Sequence, residues 1–289
     1  MANKAKKNKK KSRFSMTWHQ LKKNKVAMVS LVVLLVIVLV AVLAPVLAPY
    51  GYEVTDKRHT LEGPSSEHLL GTDRLGRDVL SRLIWGARQS IAMGVLAISI
   101  SAVLGIIIGA VAGYFGGWLD NLLMRFLDIY QSIPMMLLCI TFAAILGPSL
   151  RNAIIAIGIS MVPGFARMMR AQILTVRDNE YIEAARCCNA SNMSILVHHI
   201  IPNAISPLIV NITMSIGGAV MSGAGLSFIG LGVQSPTPEW GAMISDARNF
   251  LRANGELALY PGLCIMITVL GFNLIGDGLR DALDPKLKN

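Results

Sequence analysis

EAARCCNASNMSILVHHIIP, residues 183–202, is a polar stretch set between strongly hydrophobic ones. Asp178 stands where it can cap a helix, and Tyr181, Ala184, Ala185 and Cys188 then follow the i, i+3, i+4, i+7 spacing of one packing face. Glu183 and Arg186 project away from that face. Asn189 sits where a helix must end in a left-handed residue, Ser191 can cap the next helix, and Pro202 closes it. The stretch predicts two short helices joined by a tight turn, an arrangement suited to docking a soluble partner beside a membrane.

Outward from this stretch the chain reads as membrane. Hydrophobic residues make up 53% and charged residues 15%, with a mean hydropathy of +0.54. A soluble domain of that balance would lack polar surface. Charge-free windows lie at 26–52, 90–119, 129–150, 200–238 and 257–276, and a hydrocarbon core of about 30 Å needs roughly 20 helical residues. The shorter window 152–166 spans if Arg151 and Arg167 snorkel to opposite interfaces. Six spans follow: 26–48, then about 90–114, 126–147, 150–170, 204–228 and 258–278. Residues 1–25 form a basic cytoplasmic N-terminus, 49–88 an outer loop with an amphipathic helix, 171–203 a cytoplasmic loop, 229–257 an outer loop and 280–289 a cytoplasmic tail.

With the N-terminus inside, the inner segments hold 18 Lys and Arg and the outer segments 9, out of 27. This is the positive-inside asymmetry and predicts both termini in the cytoplasm. The run MANKAKKNKKKSR directly precedes a span, so anionic lipid accounts for it better than nucleic acid does. The apolar stretch after it is about twice the 7–15 residues of a signal peptide, so the first span is expected to remain as an anchor. Cys139, Cys187, Cys188 and Cys264 have no zinc or disulfide spacing, and His198 and His199 are adjacent, so no metal site is expected.

Within the spans, Gly105, Gly109 and Gly113 form a GxxxGxxxG ridge that lets a neighbouring backbone approach closely. Pro134, Pro163, Pro207 and Pro261 fall within or near the ends of four other spans, where each can kink the helix. Arg125 and Asp128, three apart, are expected to pair, with Asp120 nearby. Ionisable groups deep in the spans are nearly absent, which argues against a proton-coupled secondary transporter. No GxxxxGK[ST] loop is present for the chain to use ATP itself, and no nucleophile–base or metal constellation suggests a membrane enzyme. Of the outer motifs, 71–88 reads as an amphipathic helix on the outer leaflet, with docking of a delivery protein as the alternative. In the second outer loop Trp240, Met243, Ile244, Ala247 and Leu251 share a helical face, and Pro238, Glu239 and Trp240 are candidates for an external gate or receptor contact.

The 183–202 stretch resembles the EAA loop of ATP-binding-cassette importer permeases. GTDRLGRDVLSRLIWGAR (71–88), SFIGLGVQSPTPEWGAMISDAR (227–248) and GDGLRDALDPK (276–286) narrow the resemblance to the C-type subunit of the peptide and nickel permeases. It covers nearly the whole chain from Trp18 onward. The family has Gly where this chain has Asn189, and Asn tolerates a left-handed turn next best. The resemblance implies an all-α type I importer fold, with one N-terminal helix before a five-helix core in a transmembrane domain at 89–279. It also implies a homologous B-type permease partner, two cytoplasmic ATPase subunits that bind ATP and Mg, and an extracytoplasmic peptide-binding protein. This chain would hold no cofactor and do no catalysis, in a bacterial plasma membrane. Tyr181, Glu183, Ala184, Ala185, Arg186 and Asn189 would couple to an ATPase subunit. Dipeptides, oligopeptides, glutathione and nickel stay open as cargo.

Overall fold

In a computed structural model the protein is built from helices over the described residues, 13–283, with side chains described from Thr17 onward. The lysine-rich residues 1–12 and the tail residues 284–289 lie outside them. Thirteen α-helices follow in order: α1 (Arg13–Leu21), α2 (Lys25–Val42), α3 (Ala44–Leu47), α4 (Val79–Phe115), α5 (Gly117–Gln131), α6 (Met135–Leu146), α7 (Leu150–Val176), α8 (Glu180–Cys187), α9 (Asn192–Ser194), α10 (Ile201–Ala204), α11 (Ser206–Phe228), α12 (Trp240–Ala247) and α13 (Glu256–Leu283). A π-helical turn, Ile195–Ile200, joins α9 to α10, and a 3-10 turn, Arg248–Phe250, follows α12.

Helix starts are written in the sequence as caps. Asn24 Oδ1 accepts from the Ala27 N–H at 3.1 Å, Asp78 from Ser81 N at 2.7 Å, and Ser149 Oγ from Asn152 N at 3.1 Å. Each satisfies a donor that the first turn leaves without an intrahelical partner.

Five helices, α2, α4, α7, α11 and α13, are long and apolar enough to cross a membrane, and α5 with α6 makes a sixth if that bent pair counts as one. Where a third span is expected at 126–147, the chain turns by 85° between α5 and α6. Pro134 cannot donate a helical hydrogen bond, and its ring opposes the carbonyl four residues earlier. The fourth span also runs further than expected, to Val176. At roughly 40 Å it exceeds the hydrocarbon core, so its last turns can stand clear of it.

The glycine ridge does what its spacing predicts. A methyl group on Gly105 would overlap Phe165 and Ala166, one on Gly109 would overlap Ala166 and Met169, and one on Gly113 would overlap Ile173 and Arg170. The C-terminal halves of α4 and α7 therefore lie backbone to backbone, which van der Waals contact rewards where lipid supplies no hydrophobic drive. A central core of Met93, Ala97, Ile98, Ile157, Phe165 and Leu226 joins α4, α7 and α11. On the opposite flank α2 leans on α13, with Leu34 over Gly271 and Ala27 over Gly278. Its other side exposes Val29, Val32, Val36 and Leu39, as a lipid-facing helix should.

Candidate functional site

Two polar ends flank this bundle, one carrying α8 and the other α12. At the first, α7 delivers the chain into α8. Asn179 occupies the N-cap position and gives no side-chain bond, its carbonyl accepting from Ile182 N at 2.9 Å. Asp178 does not cap, contrary to expectation: it stands one residue too early and lies 3.5 Å from Arg177 Nε. Glu180 and Glu183 in the first turn and Arg186 in the last suit the helix dipole.

The packing face of α8 is also corrected. Ile182 is completely buried, in one cluster with Ile173, Ile195, Ile200 and Leu208, and Ala185 is half-buried against it. Tyr181 is 41% exposed, and Ala184 and Cys188 are exposed beside Glu183, Arg186 and Asn189. Burying one isoleucine contributes about 1.5–3 kcal/mol, which anchors a helix of only eight residues. Of the stripe read from the spacing only Ala185 faces inward; Tyr181, Ala184 and Cys188 lie on the outward face.

Asn189 behaves as predicted. With φ at 57° it is left-handed, its N–H donates to the Arg186 carbonyl at 2.9 Å, and Ala190 N donates to Ala185 O at 3.2 Å. These are the two bonds of a Schellman turn. Ser191 Oγ accepts from Ser194 N at 3.3 Å, the expected cap of the second helix. Pro202 does not close that helix. The π turn before it changes the hydrogen-bond register, so Pro202 sits in the first turn of α10 and the helix continues to Ala204. Met193 and Val197 extend the exposed apolar face begun by Tyr181.

A set of polar ties links this end to the spans. Arg170 grips Asp120 through two bonds of 2.6 Å, Arg167 meets Asp128 at 2.7 Å, Arg177 donates to the Gly113 carbonyl at 2.9 Å, and Tyr114 Oη donates to Asn192 Oδ1 at 2.8 Å. The expected Arg125–Asp128 pair is replaced by this cross-helix arrangement, and Arg167 is tied to α5 where a role at the interface was expected. The acids of α5 find arginines on α7 because the glycine ridge holds the α4–α5 corner against α7.

At the opposite end the motifs at 71–88 and 227–248 fold against the bundle. Residues 79–88 continue straight into α4, so no separate helix lies on the leaflet. Arg77 and Arg82 are 1% and 3% exposed. Arg77 pairs with Asp73 at 2.6 Å and Asp246 at 3.3 Å, and Arg82 donates to the Tyr52 and Pro236 carbonyls at 3.3 and 3.1 Å. The run of opposite charges after Gly71 was the available signal, but nothing local said that both arginines would be covered. Met243 and Ala247 are buried as the helical face predicted, whereas Leu251 is exposed.

Pro238, Glu239 and Trp240 are all buried. Glu239 Oε1 and Oε2 cap α12 by accepting from Gly241 N and Ala242 N at 2.9 Å, and Oε1 also takes the Ser90 hydroxyl at 2.9 Å. Trp240 Nε1 donates to the Leu83 carbonyl at 3.1 Å, with its ring against Gly86. In this conformation all three are covered by the chain itself. They lock the α11–α12 connection onto α4. Among the described residues no group of three His, Cys, Asp or Glu side chains is placed to hold a metal ion.

Apolar helices of spanning length, tied together at one end and carrying a short, largely exposed helix at the other, define an integral membrane protein. The chain belongs to the family described as binding-protein-dependent transport system inner membrane component, which it matches over residues 105–289. Residues 12–64 match the N-terminal transmembrane domain of oligopeptide transport permease C. A dipeptide transport system permease protein of Alkalihalophilus pseudofirmus is 47% identical over 270 residues, 93% of this chain and 89% of that protein. A glutathione transport system permease protein of Pectobacterium atrosepticum is 45% identical over 228 residues, 79% of this chain and 76% of that protein. A chain of the inward-facing MetNI methionine ABC transporter shares the fold at a TM-score of 0.57 and 22% identity, covering 70% of this chain and 97% of that one. The chain is an ABC importer permease.

Proposed function

We propose that this permease subunit imports small peptides, forming half of the translocation pathway with a homologous B-type permease. An extracytoplasmic peptide-binding protein delivers cargo at the α12 end. Two ATPase subunits, which hold ATP and Mg, dock at the α8 end, and both termini lie in the cytoplasm. The permease itself carries out no catalysis. The observation that carries this reading is the division of α8: Ile182 roots it in the core at the end of α7, while Tyr181, Ala184, Glu183 and Arg186 stay outside. Dimer closure on ATP would push α8, and α7 with its ties to α4 and α5 would transmit the movement. Such coupling requires α8 to bind the open and closed ATPase differently. Small peptides are favoured as cargo by the relatives, one a dipeptide and one a glutathione transport permease.

Glu183→Arg tests the docking reading. The variant should insert and pair with its partner permease normally, lose ATPase subunits in pull-down, and lose uptake. Wild-type uptake by that variant overturns it. The orientation is checked by Ala190→Cys in a cysteine-free chain, which should resist an impermeant maleimide added outside intact cells.

A further inference from the structure

Between α2 and α4, in the half of the bundle nearer α12, lies a cavity of about 450 Å³. Val32 and Val36 of α2, Leu80 and Ile84 of α4, Trp240 of α12 and Ile267 of α13 line it, and no lining side chain is charged or carries an amide or hydroxyl. The packing of α2 leaves this gap. Leu34 over Gly271 and Ala27 over Gly278 draw α2 onto α13, whereas the glycines of α4 are already taken by Trp240, α11 and α7. Without a small residue free to receive it, α2 cannot close on α4.

Val32 and Val36 are 54% and 52% exposed and belong to the lipid-facing side of α2, so the cavity opens sideways into hydrocarbon. Tyr52 and Trp85 meet edge to face at 5.1 Å on the same turns of α4, and aromatic rings of this kind sit at headgroup level. From there Val40 to Val32 descends about 12 Å along α2. Trp240 Nε1 is spent on the Leu83 carbonyl at 3.1 Å, so water finds no partner in the cavity and stays out. An empty space would forfeit the contacts that close packing supplies. A polar segment has nothing to bond there, and a hydrocarbon chain needs nothing.

We propose that this cavity holds an acyl chain of a membrane phospholipid, seated as a wedge between α2 and α4. The wedge stands beside the Trp240 ring, which rests on Gly86, and so backs the lock between α12 and α4. The site is independent of the cargo.

The test reads Trp240 in the full chain carrying Trp18→Phe, Trp85→Phe and Trp118→Phe, reconstituted in phosphatidylcholine vesicles whose acyl chains bear bromine, a contact quencher of indole emission. Trp240 is 2% exposed, so lipid on the outer surface of the bundle does not reach it. It should lose most of its emission to a chain in the cavity. Val32→Phe with Val36→Phe, both at exposed positions, fills the cavity and should restore the emission. Unquenched Trp240 overturns the proposal, and so does quenching that the filled chain retains. Quenching should also persist when a B-type partner permease stripped of tryptophan is added; its loss gives the cavity to the partner and overturns the lipid assignment. Native mass spectrometry of the chain with its own tryptophans does not depend on those replacements. It should show phospholipid that survives detergent, with one molecule fewer on the filled chain, and equal lipid counts overturn the proposal.

Discussion

Both ends of the bundle carry sequence motifs rich in charge, yet they dispose of that charge in opposite ways. Around α12, Arg77, Arg82 and Glu239 are buried and each has bonds within the chain. Around α8, Glu183 and Arg186 are exposed and form no ion pair with the described residues, and Tyr181, Met193 and Val197 leave apolar surface uncovered beside them. Buried polar groups are tolerated only when their partners are in place, so the α12 end completes its own shape. The α8 end is finished only in part, with Ile182 as its root. A polar motif in a membrane protein can therefore be a clamp or a handle, and burial tells the two apart.

The largest effect should come from attacking the clamp. Trp240→Ala removes the ring that fills the space against Gly86 and deletes the bond to Leu83, and should cost about 3–5 kcal/mol. Thermal unfolding of the purified protein in detergent would read it, and a loss below about 1 kcal/mol would break the comparison.

Glu183→Arg should leave that same unfolding curve within about 0.5 kcal/mol of wild type, as an exposed substitution does. Docking to the ATPase subunits should meanwhile weaken about five- to 150-fold, the range of a coupling contact of 1–3 kcal/mol. Titration of the ATPase subunits against the reconstituted permease pair gives the number. Equal damage to folding and docking would erase the distinction between the ends.

The turn after α8 allows a finer adjustment. Asn189→Ala places an ordinary side chain at a φ of 57° and should destabilise by about 1 kcal/mol, whereas Asn189→Gly should be neutral or mildly stabilising. Chemical denaturation of the three proteins side by side measures both.

The smallest effect belongs to the loop between α3 and α4, near the clamp. His59 Nδ1 lies 3.0 Å from both Glu62 carboxylate oxygens, and this hydrogen bond, followed by the carboxylate charge, raises its pKa above 6.5. A raised pKa means that the contact contributes fully below the unfolded value near 6.5 and is lost as pH climbs through the folded one. The pair is exposed, so global stability should barely register it. The imidazole resonance of His59, followed by NMR, should titrate above 6.5 and return towards it in Glu62→Gln; an unmoved midpoint would remove the pair from the clamp's surroundings.

Local chemistry made part of this legible. Asn189 and Ser191 announced their turn and cap because left-handed backbone and unsatisfied helix donors are short-range problems with few side-chain solutions. The glycine ridge was readable for the same kind of reason, since four-residue spacing fixes one helix face wherever the partner lies. On an eight-residue α8, however, Ala185 fits a stripe with Tyr181, Ala184 and Cys188 as well as one with Ile182, and only the cluster formed with Ile195 and Ile200 chose between them.

By itself, then, the sequence determined five of the apolar spans, the helix–turn–helix between α7 and α11, and the backbone approach along Gly105, Gly109 and Gly113. Those follow from hydrophobic length, capping chemistry and spacing, which act within a few turns of chain. Tertiary structure alone decided that Asp120 and Asp128 pair with Arg170 and Arg167, that Glu239 and Trp240 are inside, and that α5 and α6 meet at 85°. Each of these depends on which helices lie side by side, because a charge or an aromatic ring is satisfied by whatever stands next to it in space.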